Sequence, residues 1–449
     1  MSDPGGTDTG GLRRSMSFAD LVVYGLVFIG PAAAVSIFGS LDARSHGAVP
    51  VVYLVATVAM SFTAFSYAQM ARVVPRAGSV FAYAGAGIGP RTGFLAGWLV
   101  MLDYFLIPSV AYLFTGIAMN SFVPAVPVWG WTAAAVLLTT VLNLAGVRVA
   151  ARVATVVVCV EVLALAMVLI GGVAVLVTEG PTRGWLSPIT GVGQFSTTAI
   201  LAAVSVAVLS YLGFDAIATF AEENVGGGRL IGRATVTCLV IAGLLFAAQT
   251  YLGALLSPVS PDTLAAHPER QGAAYYDLVR VQIAPWLSDF LSVAKGAGAA
   301  FSAMVGQAAA SRILLDMGRQ ARVPRIMASV TPRTGVPTVG VLVAAVVNVL
   351  LAVWAATQPS GLDTLVSIVD VGALCAFVLL HASVIGYFYV RRRGDTRRIG
   401  RHLVAPVVGA AVLLAVLVLA NHRAQLVGAV WLVIGIVVVT VQQRRRRSR

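Results

Sequence analysis

The 449-residue chain is 58% hydrophobic and 11% charged with a mean hydropathy of +0.89, which excludes a soluble globular protein and makes lipid its solvent. Its formal charge of +13 does not point to nucleic acid, because the basic residues fall in short clusters between apolar stretches with no recognition motif beside them. Cys159, Cys238 and Cys375 each sit inside an apolar stretch without metal-ligand spacing, so they read as small core residues and not as a disulfide framework or a zinc site.

Residues 1–17 form a polar tail rich in Gly and Asp, unlike a signal peptide, and the first apolar run after it lacks a small-residue cleavage site, so that helix is expected to stay. Apolar stretches long enough to cross about 30 Å of hydrocarbon then recur to the end of the chain. The spacing predicts spans at 18–41, 48–71, 92–119, 129–147, 153–177, 196–222, 233–256, 285–318, 337–357, 362–390, 403–420 and 425–442. About twelve transmembrane helices in an all-α membrane protein is the expectation. In this threading Arg13, Arg14, Arg72, Arg76, Arg91, Arg229, the cluster 391–401 and the basic tail 443–449 share one side, whereas Arg44, Arg183, Arg270, Arg280 and Arg423 lie opposite. By the positive-inside rule both termini are then cytoplasmic.

The first span is interrupted by Gly30-Pro31 and the sixth around Gly213, each partway along its length. The two spans are five helices apart, five helices invert the topology of the next five, and helices broken at matching places of two halves point to an inverted-repeat secondary transporter with its site at the breaks. The chain divides accordingly into a first five-helix repeat over 18–177, an inverted second repeat over 196–390 and two extra helices over 403–442.

The run Tyr211-Leu212-Gly213-Phe214-Asp215-Ala216-Ile217-Ala218-Thr219-Phe220-Ala221-Glu222-Glu223 resembles the sixth-helix signature of the amino acid, polyamine and organocation permease family. Ser66-Tyr67-Ala68-Gln69-Met70, Pro75-Arg76-Ala77-Gly78, the stretch from Gly97-Trp98 to Asp103-Tyr104, and Ser311-Arg312 followed by Met317-Gly318-Arg319 support the same resemblance over residues 18–390. It implies a LeuT-type fold of 5+5 inverted repeats. Helices one, two, six and seven would form a moving bundle, three, four, eight and nine a scaffold, and five and ten the arms. It also implies a proton-coupled or exchanging carrier of small amines or amino acids.

Two departures from the family pattern bear on the substrate and its coupling. Amino-acid carriers of the family usually present a Gly-Ser-Gly break whose amides cradle a carboxylate, whereas here the break reads Ile29-Gly30-Pro31-Ala32-Ala33-Ala34 and Pro31 has no amide hydrogen. The resemblance implies polyamine importers as the members that carry such a proline, although the amides of Ala32 to Ala34 leave an amino acid open. Glu161 in helix five occupies a segment where several proton-coupled members place a lysine. A carboxylate at that depth must be protonated, paired or hydrated, which suits a proton carrier.

The remaining candidates each carry two readings. Asp215 beside the break either caps the second half of helix six or binds an amine. Tyr211 and Phe214 either pack the bundle or face an ammonium, with Phe214 the better gate. Asp103, deep in helix three, either pairs within the scaffold or lines the pathway, and Asp370 and His381 in helix ten divide the same way. Lys295 is the only lysine among 31 basic Lys and Arg residues and lies near mid-membrane, about 15 Å beyond Pro285. Glu161 and Lys295 are therefore expected to pair, either structurally or as a proton-sensitive couple. Glu222 and Glu223 read as an inner gate or as interfacial ion pairs with Arg229 and Arg233.

The sequence thus describes a proton-driven importer of a small amine such as putrescine, or of an amino acid, in a bacterial inner membrane. Its partners are the solute, protons and lipid. No cofactor is implied, and there is no Walker loop or Ser/His/Asp arrangement that would make it an ATPase or an enzyme. A channel is disfavoured by the twin breaks, and a non-transporting nutrient sensor on the same fold is a further alternative.

Overall fold

The computed structural model describes residues 17–74, 79–145, 148–215, 217, 227–319, 324–331, 336–391 and 397–447. Its helices, in chain order, are α1 (Phe18–Ile29), α2 (Ala33–Arg44), α3 (Val49–Val73), α4 (Ser79–Gly87), α5 (Pro90–Phe122), α6 (Val128–Ala145), α7 (Arg148–Thr178), α8 (Ser187–Thr190) and α9 (Thr197–Ala207). They continue with α10 (Gly227–Leu256), α11 (Pro261–Ala266), α12 (Ala274–Leu278), α13 (Pro285–Arg319), α14 (Thr338–Thr357), α15 (Gly361–Ile385), α16 (Ala405–Val418) and α17 (His422–Arg447).

Among the described residues nine helices are long and apolar enough to cross a membrane, so the protein is an all-helical, multi-pass membrane protein. α13 runs for 35 residues, but its Gly, Ala and Ser content and Lys295 make it less apolar than the nine. Such small residues let backbones approach, and α13 packs along α5, α7 and α14. α3 packs along α10, and α15 lies against α5, α4 and α16.

α1 starts on a capping box in which Ser17 and Asp20 satisfy each other's backbone amides. It ends at Gly30, whose φ of +80° is the left-handed region that favours glycine, and α2 begins three residues later. The expected sixth span is likewise shorter as an α-helix than the hydropathy predicts: α9 ends at Ala207, tightens into a 3-10 turn over Val208–Tyr211, and opens at Leu212 (ψ 132°) and Gly213 (φ +112°). Unwinding therefore begins before the Gly213-Phe214 step, because Gly213 needs a backbone that no helix provides.

Two expectations are corrected. α4 is a separate helix between the second and third expected spans, where none was predicted, because its nine residues are too few to register as a span. Of the cysteines, only Cys238 is buried, and Cys159 lies on the outer face of α7, so it is not a core residue.

α17 is tied to α5 by a reciprocal pair. Trp98 Nε1 donates to the Trp431 carbonyl and Trp431 Nε1 to the Trp98 carbonyl, both at 2.8 Å, with the indoles stacked at 4.6 Å. At the end of the molecule that holds the α2 C-terminus, Arg183 donates to both carboxylate oxygens of Asp42 at 2.9 and 2.8 Å, and Arg44 Nε donates to Asp363 at 3.2 Å.

Candidate functional site

The two breaks present backbone and side-chain groups toward the middle of the bundle. At the first, the Ala33 amide donates to the Gly30 carbonyl at 3.0 Å, so one of the three amides expected to receive a carboxylate is already used. The Pro31 carbonyl accepts from Gln249 Nε2 of α10 at 2.8 Å, and the opposite end of that amide, Gln249 Oε1, is buried without a hydrogen-bond partner among the described residues. Ala32 and Ala34 are fully buried, Ile29 is buried, and Gly30, Pro31 and Ala33 are partly accessible.

At the second break, Tyr211 turns toward α3. Its hydroxyl donates to the Tyr53 carbonyl at 3.0 Å and lies 2.8 Å from Thr57 Oγ1, while Tyr53 OH pairs with Ser210 Oγ at 2.8 Å. Tyr211 thus anchors the unwound segment to α3 by its polar tip. Phe214 is fully buried in an aromatic box, edge-on to Tyr67 at 5.7 Å and tilted against Phe377 at 5.8 Å. Tyr83 of α4 closes the same box, edge-on to Tyr67 at 5.9 Å, and its hydroxyl has no partner among the described residues.

Of three carboxylates from three parts of the chain, one, Asp215, lies at that box. Asp215 accepts a long hydrogen bond of 3.4 Å from Tyr67 OH. Asp103 of α5 and Asp215 act on each other electrostatically, as do Asp370 of α15 and Asp103. Asp370 is 1% exposed, and neither of its oxygens has a hydrogen-bond partner among the described residues; Asp103 Oδ1 is in the same condition. Buried carboxylate oxygens without donors, as on Asp103 and Asp370, are costly, and a nearby cation would offset that cost. Faces of Phe214, Phe377 and the tyrosines add a surface that attracts an ammonium group.

A second charged feature lies between α7 and α13. Lys295 Nζ donates to Glu161 Oε1 at 3.1 Å, with the two side chains 8% and 4% exposed. Gly298 makes room for the carboxylate, since a Cβ there would stand 2.7 Å from Glu161 Oε2. Asp289, one turn and a half before Lys295, pairs with Arg280 and leaves the lysine to Glu161.

Among the described residues no group of three or more His, Cys, Asp and Glu could hold a metal ion. His381 is buried, 2.8 Å from Ser66 Oγ and 3.4 Å from Thr63 Oγ1, and so joins α15 to α3. Glu222 and Glu223 lie outside the described residues.

Sequence reasoning named Asp103, Asp215, Phe214 and Asp370 separately without bringing them together. It missed Gln249 at the first break and Tyr67, Tyr83 and Phe377 around Phe214. Tyr67 lies inside the Ser66 to Met70 motif, but Gln249 and Phe377 carry no local signal, because only the packing of α10 and α15 against the breaks gives them their place.

Residues 19–441 match the family described as amino acid permease. The low-affinity putrescine importer PlaP of Escherichia coli K12 is 29% identical over 436 residues, covering 95% of this chain and 93% of that protein. The branched-chain amino acid permease BcaP of Lactococcus lactis subsp. cremoris is 27% identical over 456 residues, covering 94% and 93%. A vacuolar cationic amino acid transporter 4 of Arabidopsis thaliana is 28% identical over 403 residues, covering 84% of this chain and 64% of that protein.

Proposed function

The chain belongs to the amino acid permease family, and on that premise we propose that it is a proton-coupled importer of a small diamine of the putrescine class, working by alternating access. The observation that carries this reading is Asp215 at the Tyr67, Tyr83, Phe214 and Phe377 box, together with the buried, donor-poor carboxylates of Asp103 and Asp370. A diamine offers two ammonium groups separated by methylenes, which match separated carboxylates and an apolar aromatic wall. Likeness to a putrescine importer over nearly the whole chain supports the same choice.

In this reading the molecule has about twelve crossings in a LeuT-type 5+5 inverted repeat plus two C-terminal helices, with both termini in the cytoplasm of a bacterial cell. The break at Gly30 and the break at Gly213 are the equivalent interruptions of the two halves. Asp215 then belongs to the moving bundle, Asp103 to the scaffold and Asp370 to an arm, so a bound dication ties together parts that separate when the site opens. Glu161 is the proton-accepting group and Lys295 its counter-charge, on an arm and a scaffold helix respectively.

An amino acid is the second reading. What favours it is the start of α2, where Ala32 offers no side-chain cap, so backbone amides are left for a carboxylate. A thermal-shift panel of the purified protein against putrescine, agmatine, spermidine and the amino acids separates the two, because a ligand bound at 100 times its Kd stabilises the folded state by about 2.7 kcal/mol. Stabilisation by diamines that Asp370→Asn abolishes supports the first reading. Stabilisation by an amino acid alone overturns it, and counterflow of the stabilising solute in liposomes distinguishes a transporter from a sensor.

A further inference from the structure

One cavity lies apart from the amine site. It occupies about 460 Å³ at the end of the molecule where α3 finishes and α10 begins, a volume typical of small-ligand sites. Arg72 comes from α3, Arg229 from α10, and Arg398 and Arg401 from the segment leading into α16. The charges of Arg229 and Arg401 both act on Arg72, and among the described residues none of the four arginines forms an ion pair with a carboxylate. Converging guanidinium groups repel each other, and their planar, multi-donor geometry suits the oxygens of a phosphate.

The wall behind these arginines is built and not merely a fringe of surface charge. His402 is 5% exposed and stacks face to face on Phe388 at 3.7 Å, 8° from parallel. Its Nδ1 accepts the Arg398 amide at 3.3 Å, so Nε2 carries the hydrogen and faces Gln69 Oε1 at 3.3 Å. That bonding holds the wide π turn over Gly400–Val404 against α3, which fixes Arg398 and Arg401 on the same cavity as Arg72. π turns of this kind recur at functional sites.

We propose that this cavity binds a phosphate group, presented by an anionic phospholipid of the adjoining leaflet. The shared chemistry is a phosphate mono- or diester held by several guanidinium groups. A lipid is the source chosen because the cavity lies at the mouth of spanning helices, where basic pockets between such helices hold anionic headgroups. Its lining comes from α3 and α10 on one side and from the end of α15 and the start of α16 on the other, so an occupant bridges these segments.

Native mass spectrometry of the full-length protein, purified in mild detergent and offered phosphatidylglycerol or phosphatidylcholine, tests the site. The wild type should retain phosphatidylglycerol in preference, and R72Q/R401Q should lose that retention by ~10-fold or more, as expected for two charge-assisted contacts. R72K/R401K, which keeps the charge and loses the planar fork, should fall between them. A parallel melting curve with millimolar inorganic phosphate, lost in R72Q/R401Q, would assign the same site to a soluble phosphate source. Equal retention of both lipids by wild type and R72Q/R401Q, with no stabilisation by phosphate, would overturn the proposal and leave the arginines as a positive-inside belt. Size-exclusion profiles of the variants keep misfolding from being read as lost binding.

Discussion

Lys295 on α13 and Glu161 on α7 form a buried ion pair at 3.1 Å, with Gly298 leaving the space that the carboxylate fills. Removing one partner of such a pair leaves an uncompensated buried charge, which costs about 3–5 kcal/mol, whereas removing both is far less damaging. Lys295→Met should therefore melt at markedly lower temperature than the Glu161→Gln/Lys295→Met double variant. If the pair also couples protons to transport, both variants should take up substrate with a pH profile flatter than that of the wild type. Uptake in proteoliposomes across a pH series checks this, and an unchanged profile would leave the pair a purely structural one.

Asp370 is the most deeply buried of the three acids proposed to bind the amine, and both of its oxygens lack protein donors among the described residues. Replacing it with Asn removes a carboxyl group that no described residue satisfies and that a bound dication would. Asp370→Asn should lower diamine affinity by about 10-fold or more while leaving the unliganded protein as stable as wild type or more so. Isothermal titration alongside melting curves measures both quantities. A loss of stability without a loss of affinity would assign Asp370 to the core.

The Asp42–Arg183 and Asp363–Arg44 pairs hold the far end of α2 against its neighbours, and they differ in burial. Arg44 and Asp363 have side chains 28% and 14% exposed, whereas Arg183 and Asp42 are 9% and 0% exposed. A double-mutant cycle on Arg44 and Asp363 should give a coupling energy near 1 kcal/mol or below, since partly hydrated pairs are screened. Asp42→Asn should cost more, about 3 kcal/mol, because Arg183 then loses its bidentate acceptor in a buried place. A larger coupling for the exposed pair would indicate that Arg44 and Asp363 hold this end closed beyond their direct contact.

Much of this architecture was legible because lipid imposes a strong, repetitive pattern. Runs of apolar residues located nine of the twelve expected spans among the described residues, and glycine or proline within a run marked the breaks at Gly30 and Gly213. The pairing of Lys295 with Glu161 was legible for a related reason: lone opposite charges at similar depth have few ways to be satisfied. The aromatic box was not legible, because Phe377 and Tyr83 look like any other apolar position along their helices. Nor could hydropathy place α4, or distinguish the outer face of α7 from its packed one at Cys159. Those features depend on rotation about the helix axis, which an evenly apolar helix does not encode.

Gly30 offers the sharpest test of the break itself. Its φ of +80° is a conformation that side chains resist, and a Cβ added there would meet no atom within 4 Å. Gly30→Ala therefore changes backbone preference without introducing a clash, which separates the cost of unwinding from the cost of packing. The left-handed conformation penalises alanine by about 1–2 kcal/mol, so melting of the unliganded protein should fall by that much if the break is fixed. If α1 and α2 instead interconvert between broken and continuous forms, the substitution will favour the continuous helix, with little loss of stability. Diamine affinity would then drop more than stability, because the Pro31 carbonyl and its Gln249 partner hold their places only around the break. Melting curves and titrations on one preparation of Gly30→Ala distinguish these outcomes. A fall in stability with diamine affinity unchanged would mean that the break is a fixed part of the fold, formed before the substrate arrives, because a strain shared by the free and bound forms cancels in binding.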